Sequence, residues 1–280
     1  LRSTGASQNI TLPGNLSANA GNMVIESASD VVGGASNKTL SGQNLTMVAG
    51  GVINFDSAAS KDSKLQVPGT TSLTASGGYI VADNATNEFG GIVSVSSGTN
   101  VKLVDKDAIT LGSLSHTGNL KVTAGGAVTG SGVIGGAGYA DITAKSGINL
   151  SGGNTAASVI LNNTDTGSIV YKASRASGLS VGAVTNTAPS AGDITVSNSA
   201  GNVSLTSAIS ASAPNSVITI ATTGNFANSA GSTALTPGTG GKWLVYSTDP
   251  ALDTPGGLVN AFKHYNQTFT GAAYAGPGVG

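Results

Sequence analysis

The chain has 280 residues, a formal net charge of −1, no cysteine, and only 9% charged residues. A chain without excess positive charge gains little from counterion release, which argues against electrostatic nucleic-acid binding. The lack of cysteine excludes a disulfide framework and a thiolate metal site, and it suits a chain that crosses a membrane unfolded. With 42 glycines and 39% apolar residues, the composition predicts a folded chain with a thin, elongated core.

Strand patterns follow one another along the chain, whereas runs with the 3.6-residue spacing of a helix are nearly absent. Apolar residues alternate with Ser or Thr in each strand pattern, so one side is predicted to be buried and the other wet. No run approaches the 18 apolar residues of a membrane-spanning helix. The clearest predicted strands cover residues 23–26, 92–96, 101–104, 159–161, 168–172, 193–197, 202–206 and 216–221.

One phrase returns in altered form. It reads Asn44-Leu-Thr-Met-Val-Ala-Gly-Gly-Val-Ile53 and again Asn119-Leu-Lys-Val-Thr-Ala-Gly-Gly-Ala-Val128, with looser copies at 73–80 and 142–148. Each copy predicts a strand, a corner of small residues with positive φ at glycine, and a second strand. A unit that recurs every few tens of residues is typical of a solenoid, whose stacked coils share one core.

The predicted fold is therefore all-β, a right-handed parallel β-helix. Three short strands and their corners need about 20 to 25 residues per turn, which gives about ten to twelve rungs for this chain. Corner Asn residues are predicted to tolerate the left-handed region and to hydrogen-bond to stacked neighbours. The Ser, Thr and Asn content is thus interpreted mainly as scaffold.

The C-terminal part departs from the repeat and contains the only tryptophan of the chain. We predict β-helix repeats over 1–239, a capping segment over 240–270 and a linker over 271–280. An end turn exposes apolar core and unpaired strand edges, so it needs a cover. The residues suited to this structural cap are Trp243, Leu244, Tyr246, Leu258, Phe262 and Tyr265.

Carboxylate pairs raise the alternative of a polysaccharide lyase or hydrolase, because β-helices also host such enzymes. Asp105 and Asp107 are two residues apart on a strand-like run and are expected to share a face, close to Lys102 and Lys106. Acid–base catalysis needs two carboxylates with different pKa values in a cleft. A charged corner on a wet face explains the same residues, so we predict no enzyme and no catalytic residue. A second pair is Asp249 with Asp253.

Metal and cofactor sites are not predicted either. The two histidines, His116 and His264, are far apart in sequence and have no cysteine or nearby acidic partner. A metal site would require several ligands at defined spacing. We therefore predict no metal ligands, no cofactor-binding residues and no cofactor.

Two stretches resemble a known family. Residues 87–95, 108–114 and 118–128 resemble the repeats of filamentous-haemagglutinin-like exoproteins, which are large bacterial adhesins of the two-partner secretion type. The segment Lys242-Trp-Leu-Val-Tyr-Ser-Thr-Asp-Pro250, with 253–258 and 262–269 after it, resembles the end of the solenoid in the same proteins. Together these stretches and their surroundings cover about two-thirds of the chain. The family's N-terminal secretion domain, with its Asn-Pro-Asn motifs, is missing, so the resemblance implies the C-terminal part of the shaft.

The resemblance implies a secreted or cell-surface protein that is exported through an outer-membrane transporter. It implies a rigid, non-enzymatic rod for attachment to host cells, extracellular matrix, glycans or biofilm exopolysaccharide. Neither a nucleic-acid partner nor membrane insertion is expected. A pure structural spacer, with its binding tip elsewhere in the parent protein, is the first alternative, and the β-helix enzyme is the second.

Overall fold

The computed structural model describes residues 1–5, 8–12, 14–34, 38–261, 263 and 269–271. Parallel strands in stacked coils form a β-solenoid of about 11 turns, as predicted. The one helical element among the described residues is a 3-10 helix at Ser57–Ala59. Contacts divide the chain into two compact units, 1–141 and 142–280.

The first unit contains three ladders of parallel strands. Their orders are β1-β4-β7-β10-β13-β15-β17, β2-β5-β8-β11-β14-β16 and β3-β6-β9-β12. The chain therefore visits the ladders in turn and begins the next coil. The strands are β1 (Arg2–Ser3), β2 (Ile10–Thr11), β3 (Leu16–Ser17), β4 (Met23–Ser27), β5 (Val31–Val32), β6 (Thr39–Ser41), β7 (Leu45–Ala49), β8 (Ile53–Phe55), β9 (Lys64–Val67), β10 (Thr71–Ala75), β11 (Ile80–Ala82), β12 (Glu88–Phe89), β13 (Ile92–Ser97), β14 (Val101–Asp105), β15 (Ile109–Leu114), β16 (Leu120–Ala124) and β17 (Val128–Gly130).

In the second unit the two main ladders run β19-β21-β23-β26-β29 and β20-β22-β24-β27. The long strand β22 also pairs with β25, which pairs with β28. A further strand, β18 (Tyr139–Ala144), contains the point at which the contacts divide. The strands of this unit are β19 (Ile148–Asn154), β20 (Ser158–Asn163), β21 (Ile169–Ala173), β22 (Leu179–Asn186), β23 (Ile194–Asn198), β24 (Val203–Leu205), β25 (Ile209–Ala211), β26 (Val217–Thr222), β27 (Phe226–Asn228), β28 (Leu235–Thr236) and β29 (Lys242–Tyr246).

Each unit has a core of inward side chains stacked in register. In the first unit Leu73 pairs with Met47 on one side and Val95 on the other, and all three are buried. In the second unit Ile194 pairs with Ile169 and Ile218, which are also buried. Burying one such side chain contributes about 1.5 to 3 kcal/mol. The strand patterns therefore identified the buried side correctly.

Turn length depends on whether a turn contains a strand of the third ladder. Turns with three strands advance the register by up to 26 residues, from Leu45 to Thr71. After β12 the third ladder ends, and the next turn advances only 18 residues, from Ile92 to Thr110. The expected range of 20 to 25 residues is thus an average over turns of two kinds.

Asn and Asp side chains connect corners of successive turns. Within the first unit, Asn44 Oδ1 accepts from the N–H of Thr70 at 2.7 Å, and Asn100 Oδ1 accepts from the N–H of Asn119 at 2.8 Å. The second unit repeats the arrangement, with Asn202 Oδ1 accepting from the next corner at 2.8 Å. These bonds satisfy backbone donors that lie outside the ladders. The predicted hydrogen bonding of corner Asn to stacked neighbours is confirmed.

The expected backbone conformation at these corners is wrong in two respects. Of the corner Asn residues, only Asn19 and Asn215 have positive φ among the described residues. Gly50 and Gly125, in the two closest copies of the repeated phrase, do not lie in the left-handed region. A Cβ at Gly50 would overlap the carbonyl oxygen of Ala28 in the preceding turn, and one at Gly125 would overlap that of Lys106. Glycine is required there by the close approach of neighbouring backbones.

An inward charge should unfold the turns around it. We expect Val122→Asp and Ile194→Asp each to cost more than about 3 kcal/mol, because both positions are fully buried and an unpaired carboxylate would enter the core. Urea unfolding measures the loss. The neighbouring positions Thr123 and Thr195 are half-buried on the other side of the same strands, so Thr123→Asp and Thr195→Asp are matched controls with small effects. Equal losses at inward and outward positions would contradict the register.

Candidate functional site

Charged side chains gather at the edge of the third ladder in the first unit. Glu88, on the last strand of that ladder, forms ion pairs with Lys64 at 3.1 Å and with Lys106 at 2.8 Å. Hydrogen bonds from Lys106 and Lys64 lower the pKa of Glu88 to about 2. Its second oxygen accepts from Gln66 Nε2 at 3.0 Å. Glu88 therefore stays ionised and links side chains of three successive turns.

Asp105 closes the edge of the same ladder from the following turn. Its side chain is only 2% exposed, and its Oδ2 accepts from the N–H of Phe89 at 3.0 Å. Its Oδ1 accepts from the N–H of Asp107 at 2.8 Å. No strand of the third ladder follows β12 among the described residues, so the carboxylate occupies the acceptor position of a missing strand. Burial raises the pKa of Asp105.

The expectation that Asp105 and Asp107 share a face is wrong. Asp105 is the buried last residue of β14, whereas Asp107 lies beyond the strand and is exposed. Lys106 does lie close to Asp107, at 3.6 Å. Lys102 instead pairs with Asp83 at 2.5 Å. Strand alternation holds only within a strand, and this strand ends at Asp105.

Asp83 is a second buried carboxylate in this region. Burial raises its pKa, but hydrogen bonds from Lys102 and from the N–H of Ser57 outweigh burial and leave the pKa below its ordinary value. The composition hid Asp83, Glu88 and Lys64 as partners because their contacts lie one turn apart, 19 to 26 residues along the chain. A search for opposite charges at the turn length could have found them.

A cavity of about 320 Å³ adjoins this cluster and is lined by Gln66, Glu88, Asp105 and Asp107, among others. The lowered pKa of Glu88 and the raised pKa of Asp105 resemble the division between a base and an acid. However, both oxygens of each carboxylate already accept hydrogen bonds from the protein. The arrangement fastens successive turns together and offers bound water or a ligand few acceptor positions.

Removing the buried carboxylate should open this edge. We expect Asp105→Ala to lower the free energy of unfolding by about 2 kcal/mol, because the N–H groups of Phe89 and Asp107 lose their acceptor. Urea denaturation followed by circular dichroism measures the effect. Asp107→Ala is the matched control and should change stability by less than about 0.5 kcal/mol, since its side chain is exposed. An Asp105→Ala protein as stable as the unmodified chain would contradict this role.

His116 lies buried at another corner of the first unit. One ring nitrogen, Nδ1, is 3.0 Å from the carbonyl oxygen of Gly118, and the other, Nε2, is buried without a hydrogen-bond partner. Burial lowers the pKa of His116. No group of three or more His, Cys, Asp or Glu side chains that could hold a metal ion occurs in the described part of the chain. His264 lies outside the described residues.

The stability of the chain should fall as the pH drops from about 7.5 to about 5, above the range in which Glu88 titrates. His116 has a lower pKa when folded than its ordinary 6.5, so the unfolded chain binds the proton more readily and acid favours unfolding. Melting temperatures across this range measure the slope. His116→Gln should flatten it, with His264→Gln present in both proteins so that only position 116 differs. An unchanged slope would contradict the assignment.

The predicted cap residues lie in the second unit, and three of them form part of its last strand. Strand β29 pairs in parallel with β26, placing Trp243 beside the inward Ile218 and Leu244 beside Thr219. Leu244 is buried and the ring of Tyr246 lies 5.3 Å from that of Phe269. The predicted capping segment therefore begins as one more turn of the ladder. Leu258 is half-buried, and Phe262 and Tyr265 lie outside the described residues.

Residues after β29 continue this turn. Thr254 forms an isolated parallel bridge to Ala227, and Asp253 Oδ1 accepts from the N–H of Phe226 at 2.7 Å. Asp249, its predicted carboxylate partner, accepts instead from the N–H of Ala251 in its own turn. The predicted boundary between 239 and 240 and the linker 271–280 remain predictions.

A cavity of about 800 Å³ adjoins β29. The lining includes four predicted cap residues, Trp243, Leu244, Tyr246 and Leu258, which the structure thus brings together. Asp253, Lys242 and Asn260 add polar groups. Within the described residues, no helix is both long enough and apolar enough to span a membrane.

Comparison with known proteins gives one match. Residues 20–96 and 98–165, just over half of the chain, match a family described as "Repeats of unknown function (DUF5649)". No curated protein and no solved structure matches the chain.

Proposed function

The chain belongs to the family of repeats of unknown function (DUF5649), and we propose that it is a non-enzymatic segment of a secreted or surface-displayed bacterial adhesin. In this proposal the stacked turns serve attachment to host cells, extracellular matrix, glycans or biofilm exopolysaccharide. The parent protein would be of the filamentous-haemagglutinin-like type and would leave the cell through an outer-membrane transporter. The sequence resemblance of residues 87–128 and 242–269 supports this origin.

The observation that carries the proposal is the use of polar side chains within the coil. Asn163 and Asn186 are fully buried and bond to each other at 2.9 Å between successive turns. Asn198 donates to the carbonyl oxygens of Arg175 and Asn202, each at 3.0 Å. Side chains that are consumed in joining turns are typical of a scaffold, in which each turn is stable only against its neighbours.

One outer face is suited to extended ligands. Thr46, Ser72 and Ser94 lie in register on successive strands of the first unit, each half-buried. The hydroxyl oxygens of Thr110 and Thr129 in later turns are 3.3 Å apart. Adjacent strands are about 4.8 Å apart, so hydroxyl groups repeat regularly along this face. Such a row would bind a polysaccharide weakly at each turn and depend on many contacts.

A pure spacer is the second candidate. The same scaffold observation supports it, because corner side chains that bond to other turns are not available to a ligand. The two candidates differ in whether the hydroxyl face makes contacts of its own.

Binding of the purified chain to immobilised exopolysaccharides, host glycans and matrix proteins separates the candidates. We expect saturable binding without release of cleavage products, and loss of most binding in a Ser72→Glu, Ser94→Glu variant, because two large charges interrupt the hydroxyl row. Ser180→Glu on β22 of the second unit, also half-buried, is the control and should bind normally. Absence of binding to every surface would favour the spacer, and cleavage products would contradict both candidates.

A further inference from the structure

The cavity beside β29 has the size and walls of a ligand site. Its volume of about 800 Å³ falls within the range of small-molecule pockets, roughly 300 to 1,000 Å³. Phe226 and Leu235, both buried, contribute apolar surface from the preceding turn. Trp243 contributes the only indole of the chain. Large aromatic and aliphatic surfaces of this kind bind the apolar faces of ligand rings.

Polar groups are placed around this apolar surface. Asp253 is oriented by two hydrogen bonds, from the N–H of Phe226 at 2.7 Å and from the hydroxyl of Ser247 at 2.5 Å. An ionised carboxylate can accept about four hydrogen bonds, so these two orient Asp253 without exhausting it. Lys242 and Lys263 bring ammonium donors to the same lining. The cavity thus combines an aromatic surface with both acceptors and donors.

We propose that this cavity binds a neutral oligosaccharide, with one sugar ring against Trp243 and its hydroxyl groups bonded to Asp253 and Lys242. Sugar hydroxyls both donate and accept, which suits a lining that holds a carboxylate and ammonium groups. A lipid chain would leave these polar groups desolvated and unpaired, which is costly. The inference rests on the proposed attachment function and gives it a specific site, separate from the hydroxyl face of the first unit.

The only tryptophan makes the test direct. The probes are hexasaccharides of glucose, N-acetylglucosamine and mannose, each titrated to millimolar concentration while the fluorescence of Trp243 is recorded. We expect a saturable change with at least one of them. Lys242→Gln should weaken that binding about tenfold, because a hydrogen bond from a charged donor is lost. Lys172→Gln, on β21 in the same unit and outside the cavity lining, is the matched control and should leave binding unchanged.

Melting curves establish that each variant is folded, and Lys263→Gln replaces Lys242→Gln if the latter is not. Unchanged fluorescence with all three sugars would overturn the site, and so would a saturable change that both lysine variants leave intact. The surface-binding assay fails or succeeds separately. If the chain binds surfaces while Trp243 does not respond, only this site is wrong. If a hexasaccharide binds while no surface does, the site stands and the attachment function fails.

Discussion

Hydrogen bonding between successive turns is the constraint on which the rest of each unit depends. A short strand of two to eight residues has no stability alone, so each turn must pair in parallel with the turns before and after it. Parallel pairing in turn fixes which side chains stack, as with Ile169, Ile194 and Ile218 in the second unit. The corners follow from the same requirement, because their backbone donors need acceptors from neighbouring corners.

Chemistry that departs from the scaffold lies where a ladder stops. The third ladder of the first unit ends at β12, and there the structure places the buried carboxylate of Asp105 and the ion pairs of Glu88. In the second unit, β29 is the last strand of its ladder, and beside it lie Trp243 and the largest cavity found in the described part of the chain. Unpaired strand edges and exposed core must be covered, and the side chains that cover them are polar or aromatic.

Alternation of apolar and polar residues predicted the strands and their buried side, because period two follows directly from backbone geometry. The repeated phrase was a weaker guide. Its copy at 44–53 runs from the first ladder to the second, whereas the copy at 119–128 runs from the second to the first. The phrase encodes a close-packed corner, not a position in the turn. The Glu88 cluster escaped prediction because turns of 18 to 26 residues place its members at unequal spacings.

Hydrogen exchange of the corner amides tests this account most directly. The N–H groups of Thr70, Asn119 and Asn225 lie outside the strands and donate to Asn side chains of the preceding turn. If these contacts join the turns, the three amides exchange as slowly as neighbouring strand amides such as that of Leu73, and Asn44→Ala speeds exchange at Thr70. Corner amides that exchange at the rate of an unstructured peptide, while the strands stay protected, would contradict it.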